Sequence, residues 1–249
     1  MALDSHLDYK YHCIRMSGVL NMDVPVSERI KSRIKASGKR FFACDNVSEF
    51  IQEGEENDLV LELTEKFNSV IDSLVIDREN DPNSHETGKR LAKMYVYEIM
   101  SGRYEKAPKV TAFPNTGENV YSGMLVVRAE IKSMCSHHHQ PVRGIAYIGI
   151  IPGQKVIGLS KYIRIAQWYA RRGQLQEELC EQIAKAISKA CDTQDVAVYI
   201  SATHGCCENR GVGAANSLTQ TTVVRGQFHA ADVKKEFFDN IALQQTFKA

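Results

Sequence analysis

The seven residues Val127-Arg128-Ala129-Glu130-Ile131-Lys132-Ser133 alternate small or apolar side chains with charged ones. In an extended chain successive side chains point to opposite faces, so this stretch reads as a half-buried antiparallel strand with one face on a core and the other in water. Arg143 to Ile151 continues as a second strand, stopped by Pro152-Gly153. Two helices are expected next, Ser160 to Arg172 and Gln174 to Ala190, the second with Leu175, Leu179, Ile183 and Ile187 as one apolar stripe. Val196, Val198 and Ile200 alternate in a third strand that ends at the segment Ala202 to Cys207. Ser217 to Phe228 reads as a fourth, and Ala231 to Ala242 as a closing helix. The order strand, strand, helix, helix, strand, strand fits an α+β fold: a four-stranded antiparallel sheet with helices on one face.

Upstream the pattern is helical. Glu53, Glu55, Glu56, Asp58, Glu62 and Glu65 form an acidic stretch whose apolar complement is Leu59, Leu63, Phe67, Ile71 and Leu74, spaced at three and four. A helix from Asn57 to Val75 is expected, ended by the turn-forming cluster Asp77, Asn80, Asp81, Pro82 and Asn83. A second helix, Thr87 to Ser101, carries Leu91, Tyr95 and Ile99 and stops at Gly102. The chain thus divides into a partly helical, acidic N-terminal extension, residues 1–80, and a main domain, residues 81–249.

Composition bounds the function. The 249 residues hold 31 Lys+Arg and 30 Asp+Glu, a formal net charge of +1, which argues against the broad basic field of a nucleic-acid binder. Apolar residues make up 43% and charged ones 24%, the balance of an ordinary soluble globular chain. The longest apolar run, Gly144 to Ile151, falls well short of the roughly 20 residues that span a bilayer, and Met1 to Met16 has no apolar run that would read as a signal peptide. Seven cysteines, an odd number in a chain this long, suit a reducing compartment, and a cytoplasmic protein is expected.

Chemistry concentrates in two short segments, Cys135-Ser136-His137-His138-His139 and His204-Gly205-Cys206-Cys207, each where a strand should end. Thiolate and imidazole are the ligands zinc prefers, and a Cys-x-x-His pair plus a distant Cys supplies three of four tetrahedral positions. His137 and His204, beside such a metal, become proton-transfer candidates, because an unperturbed imidazole titrates near working pH. Cys13, Cys44, Cys180 and Cys191 have no such company and read as ordinary thiols; His6, His12, His85 and His229 read as surface or satisfied histidines. Arg90 and Lys93 share one helix face, as do Lys161 and Arg164, and the two pairs would hold a polyphosphate if they converged on one pocket.

At these residues the sequence resembles GTP cyclohydrolase I. The resemblance runs from about Thr87 to the C-terminal helix through Arg90-Leu91-Ala92-Lys93-Met94-Tyr95, Met134-Cys135 with His137-His138, Gly158-Leu159-Ser160-Lys161 with Arg164, Gln174-Leu175-Gln176-Glu177, and Ala202-Thr203-His204 with Cys206 and Arg210-Gly211. It implies Zn²⁺ as cofactor on Cys135, His138 and Cys206, and proton transfer by His137 and His204. It implies triphosphate contacts from Arg90, Lys93, Lys161, Arg164 and Arg210, with Ser160 near the ribose or phosphate, and guanine recognition by Glu177 beside Gln176. The implied activity is zinc-dependent hydrolysis of GTP to 7,8-dihydroneopterin triphosphate: attack at purine C8, release of formate, Amadori rearrangement and ring closure. The implied fold is the tunnelling fold, in which sheets from several subunits close into a barrel, and the implied assembly is a homodecamer of two stacked pentamers.

The chain departs from the family pattern at Ser136, where Glu is usual, at Gly88, where Pro is usual, and at Cys207, which adds a thiol. Two rival readings accompany the main one. The first is a tunnelling-fold relative that acts on a related purine nucleotide or stops at the ring-opened intermediate. The second is a non-enzymatic zinc-stabilised module, its fourth ligand supplied by Cys207 or His139.

Overall fold

The computed structural model describes residues 24–246. Cys13, His6, His12 and the stretch Met1 to Met16 lie outside the described residues. The helices are α1 (Val26–Ala36), α2 (Glu55–Ser73), α3 (Thr87–Lys93), α4 (Ser101–Tyr104), α5 (Leu159–Ala170), α6 (Gln176–Cys191), α7 (Gly205–Glu208) and α8 (Ala231–Thr246). The strands are β1 (Ala112–Pro114), β2 (Leu125–Cys135), β3 (Pro141–Ile150), β4 (Lys155–Ile157), β5 (Gly173–Gln174), β6 (Val196–His204) and β7 (Thr219–Val224).

The main sheet has the order β5-β2-β3-β6-β7, and β1 pairs with β4 in a separate two-stranded ribbon. The four long strands are the expected antiparallel set. Val127, Ala129, Ile131 and Ser133 are buried while Arg128, Glu130 and Lys132 are exposed, the alternation written in the sequence. On one face α5 and α6 bury Tyr162, Ile165, Leu179, Ile183 and Ile187 against Val127, Ile131, Ile148, Val198 and Ile200. Each fully buried Leu or Ile of this layer contributes about 1.5–3 kcal/mol over an exposed one.

Three features depart from the expectation. Gln174 does not open the second helix; with Gly173 it forms β5, a two-residue strand parallel to β2 at Met134 and Cys135. Main-chain pairing with the end of β2 holds them extended, and α6 starts only at Gln176. The sheet also has helical cover on its second face, where α8 buries Phe237 and Ile241 with Tyr147, Ala197, Tyr199 and Phe228. Gly149 makes that approach possible, because a Cβ there would stand 2.7 Å from the Phe237 ring. Finally, the expected helix from Thr87 to Ser101 is α-helical only through Lys93; Met94–Ile99 is a π-helical turn, closed by Met100 N–H donating to Tyr95 O at 3.1 Å. Such widened turns occur frequently at functional sites.

Register positions the site. Met134 pairs with Pro141 and Val142 pairs with His204, so the end of β2, the start of β3 and the end of β6 lie at one end of the sheet. Residues 24–80 are bound to this body. α1 buries Val26, Ile30 and Ile34 against Val47 and Leu59. Arg103 donates to Asp45 O at 2.9 Å, and Arg172 donates through Nη1 to Cys44 O at 2.9 Å and through Nε to Gly102 O at 3.0 Å. The turn cluster behaves as its composition suggests: Asp77 accepts from Asn80 and Asp81 accepts from Asn83 and Ser84. Among the described residues no helix is long and apolar enough to cross a membrane.

Candidate functional site

Cys135 is the last residue of β2, and the chain folds back on itself immediately afterwards. Cys135 N–H donates to Gln140 O at 2.9 Å, His139 N–H donates to Cys135 O at 2.9 Å, and His139 takes a left-handed conformation at φ 50°. This tight loop carries His137 and His138 outward at the sheet end. On the far side of β3, β6 ends at His204 and the chain enters α7, whose second residue is Cys206. Gly205 lets α7 sit close to Pro141, since a Cβ there would stand 3.1 Å from the Pro141 ring.

The result is a group of three ligand atoms, from Cys135, His138 and Cys206, all within 4.8 Å of one another. Two sulfurs and an imidazole at that separation can share one tetrahedral ion, with a fourth position left for water or substrate. Neither Cys207 nor His139 belongs to the group. The His139 ring lies 5.7 Å from that of Tyr95, in the π-helical turn. Burial pushes the Cys206 thiol up to about 11, and the neighbouring thiols of Cys135 and Cys207 add to it. Facing thiols oppose each other's ionisation, whereas a divalent cation between them would favour the thiolates.

His204, two positions before Cys206, is half-buried, with Nε2 2.7 Å from Gln176 Oε1. Burial lowers its pKa below the ordinary imidazole value, opposed by the carboxylates of Glu177 and Glu208. Glu177 is therefore near enough to His204 for its charge to be felt there, and it is exposed at the start of α6. Gln176, by contrast, is buried, and its amide nitrogen lies 3.2 Å from each of Ile200 O, Thr219 O and Thr221 Oγ1. Nothing in the spacing of Gln174-Leu175-Gln176-Glu177 distinguishes the inward Gln176 from the outward Glu177 beyond their positions on the helix.

The cations divide into two sets. Arg90 and Lys93 lie on α3, which leads directly into the turn whose Tyr95 meets His139. Arg90 Nη2 donates to Thr87 Oγ1 at 2.9 Å, and the Arg210 side chain is exposed four residues beyond Cys206. Ser160, Lys161 and Arg164 are elsewhere. They sit in the first turns of α5, and Tyr162 of the same segment has its hydroxyl 3.5 Å from Cys191 Sγ at the far end of α6. α6 begins at Gln176, which contacts His204, and runs 16 residues, so that far end is about 22 Å from the end that meets His204. Within one chain these three residues do not join the others.

Gly88 also has a structural reason. A Cβ there would stand 2.1 Å from Asn68 Oδ1 and 2.9 Å from Thr64 O, so α3 crosses α2 where only glycine fits. Ser136 donates its N–H to Gln174 O at 3.2 Å and so helps fix β5 beside the loop. Arg172, which no motif singled out, is 3% exposed and stacks 3.9 Å from the Trp168 ring centroid, joining the loop of residues 41–46 to the strand next to Cys135. Burial pulls its pKa down to about 10, so it stays charged at neutral pH.

The family model for GTP cyclohydrolase I matches residues 63–242. The chain belongs to the GTP cyclohydrolase I family. Among its relatives, GTP cyclohydrolase 1 of Aeromonas salmonicida is 42% identical over 176 residues, 70% of this chain and 79% of that one. The protein of the same name from Haemophilus ducreyi is 39% identical over 182 residues, 72% of this chain and 83% of its own. That of Flavobacterium johnsoniae is 39% identical over 181 residues, covering 72% and 80%. The match spans both Cys/His segments and both sets of cations, and its start inside α2 places part of the N-terminal region within the family's own extent.

Proposed function

We propose that this chain is a zinc-dependent enzyme that converts GTP to 7,8-dihydroneopterin triphosphate and formate. The observation that carries the reading is the convergence of Cys135, His138 and Cys206, from segments about 70 residues apart, with His204 two positions before Cys206. The donor set fits zinc: two sulfurs and one nitrogen, three protein ligands and one position left over. When bound, zinc supplies Lewis acidity for hydrolysis at purine C8.

The chain's own residues supply the rest. Glu177, exposed at the start of α6, accepts from the adjacent N1–H and 2-amino donors of guanine. His204, whose neutral form burial favours, and His137 on the loop exchange protons with the ring nitrogen and leaving groups as C8 is released as formate. Ribose opening, Amadori rearrangement and ring closure follow on the same bound molecule. Arg90, Lys93, Lys161, Arg164 and Arg210, with Ser160, hold the triphosphate through those steps, so their contribution is binding and orientation.

The split of the cations argues for a site shared between subunits. Ser160, Lys161 and Arg164 lie too far from the metal group to serve it in their own chain, so a neighbouring copy supplies them. Two features of the sheet favour such a neighbour: among the described residues β7 has an unpaired outer edge, and β2 is unpaired on its outer side before Met134. Pairing β2 of one subunit with β7 of the next would remove both edges and close a barrel. A homodecamer of two pentamers in the cytoplasm is the assembly we propose; ten chains of 28.0 kDa give about 280 kDa by light scattering.

Purified protein incubated with GTP and zinc tests the activity. Formate and a fluorescent pterin after oxidation are expected, and their joint absence would overturn the assignment.

A further inference from the structure

Gln176 is the first residue of α6 and is 5% exposed. Both groups of its amide have partners inside the chain. Nε2 faces two main-chain carbonyls, Ile200 O and Thr219 O, and the Thr221 hydroxyl, all at 3.2 Å, while Oε1 lies 2.7 Å from His204 Nε2. The two carbonyls can only accept, so the amide NH₂ must point to them and the amide oxygen must point to His204. An amide oxygen can only accept in turn, so the hydrogen of neutral His204 resides on Nε2. Its lone pair is then on Nδ1.

We infer that Gln176 is a positioning residue, not a substrate contact: it ties α6 to β6 and β7 and holds His204 in the Nε2–H tautomer, leaving Nδ1 as the nitrogen that exchanges a proton with the substrate. The inference deepens the proposed GTP hydrolysis and rests on it for the role of His204. It changes the part expected for Gln176 from the resemblance, where it stood beside Glu177 at the guanine. A base contact would need the amide at the surface, whereas it is 5% exposed, with its NH₂ turned to the carbonyls of β6 and β7 and its oxygen to His204.

Kinetics and spectroscopy separate the alternatives. Gln176→Met keeps the length and removes both hydrogen-bonding groups. kcat should fall by about 10²-fold, the usual contribution of a positioned acid or base, while KM for GTP changes by less than about threefold. In a His204→Asn background the same substitution should cost less than about threefold further, because the group it positions is gone. A KM rise of about tenfold or more with kcat retained, or losses that multiply in the double variant, would overturn the inference and return Gln176 to the substrate.

The second measurement needs neither the variant's stability nor turnover. ¹⁵N spectra of the histidine-labelled wild-type protein, with the His204 signals identified by their loss in His204→Asn, should show a protonated Nε2 and a bare Nδ1 at neutral pH. A protonated Nδ1 with a bare Nε2 would refute the hydrogen bond's direction. If wild-type protein makes no pterin while the spectra show Nε2–H, it is the reaction assignment that fails and not the geometry.

Discussion

Lys161 offers a sharp test of how the site is built. It stands in the first turn of α5, beside Tyr162, whose hydroxyl reaches Cys191 at the end of α6 remote from His204. Sixteen residues of helix, about 22 Å, separate that end from Gln176 and its contact with His204, a distance that no lysine side chain can bridge. If Lys161 serves the reaction, it does so at a neighbour's Cys135, His138 and Cys206. Lys161→Ala and Cys206→Ser should each be inactive alone, the first for want of a triphosphate contact and the second for want of a metal ligand. Dissociated together and reassembled in equal amounts, they should regain activity. Each site needs an intact Cys206 from one chain and an intact Lys161 from the next, and random mixing satisfies both in about one quarter of sites. The assay is pterin formation before and after mixing, with reassembly checked by native mass. Reassembled mixtures that stay inactive would refute the shared site. A regain of about one quarter is the result expected.

Two further outcomes follow from local geometry. The Cys206 thiol, pushed up to about 11 without metal, must lose its proton to bind zinc, so loading apo-protein should release protons and zinc affinity should rise with pH between about 6 and 8; an affinity independent of pH would contradict the thiolate ligand set. Gly88→Ala drives a Cβ toward Asn68 Oδ1 and Thr64 O and should cost about 1–3 kcal/mol in a denaturant melt, since the asparagine side chain can swing aside but the helix carbonyl cannot; an unchanged midpoint would mean that α3 does not cross α2 so closely.

What the sequence disclosed was the part governed by local period. Alternation from Val127 to Ser133 named the faces of β2, because side-chain direction in a strand depends only on parity. Leu179, Ile183 and Ile187 named the buried stripe of α6 in the same way. The metal group was legible because its ligand types are rare and because strand ends collect at the end of a sheet. β5 was not legible: two residues have no period, and what holds Gly173 and Gln174 extended is the end of β2, some 40 positions away. The second-face packing of α8 was hidden for a related reason. Phe237 and Ile241 mark a helix with an apolar side, but which sheet face receives it depends on Gly149 leaving room. The spacing of Lys161 and Arg164 likewise reported a shared helix face and nothing about which end of the sheet that turn would reach. The resemblance put Gln176 beside Glu177 at the guanine; its inward direction appears only once β6 and β7 are assembled around it.

If one ion at Cys135, His138 and Cys206 supports conversion of GTP to a dihydropterin, a product balance on protein of known zinc content will show it. Fully loaded wild type should release one formate for each 7,8-dihydroneopterin triphosphate formed, and Cys206→Ser, purified in the same way, should retain neither zinc nor product. Turnover of GTP by the Cys206→Ser protein, or formate without pterin from the loaded wild type, would contradict the account.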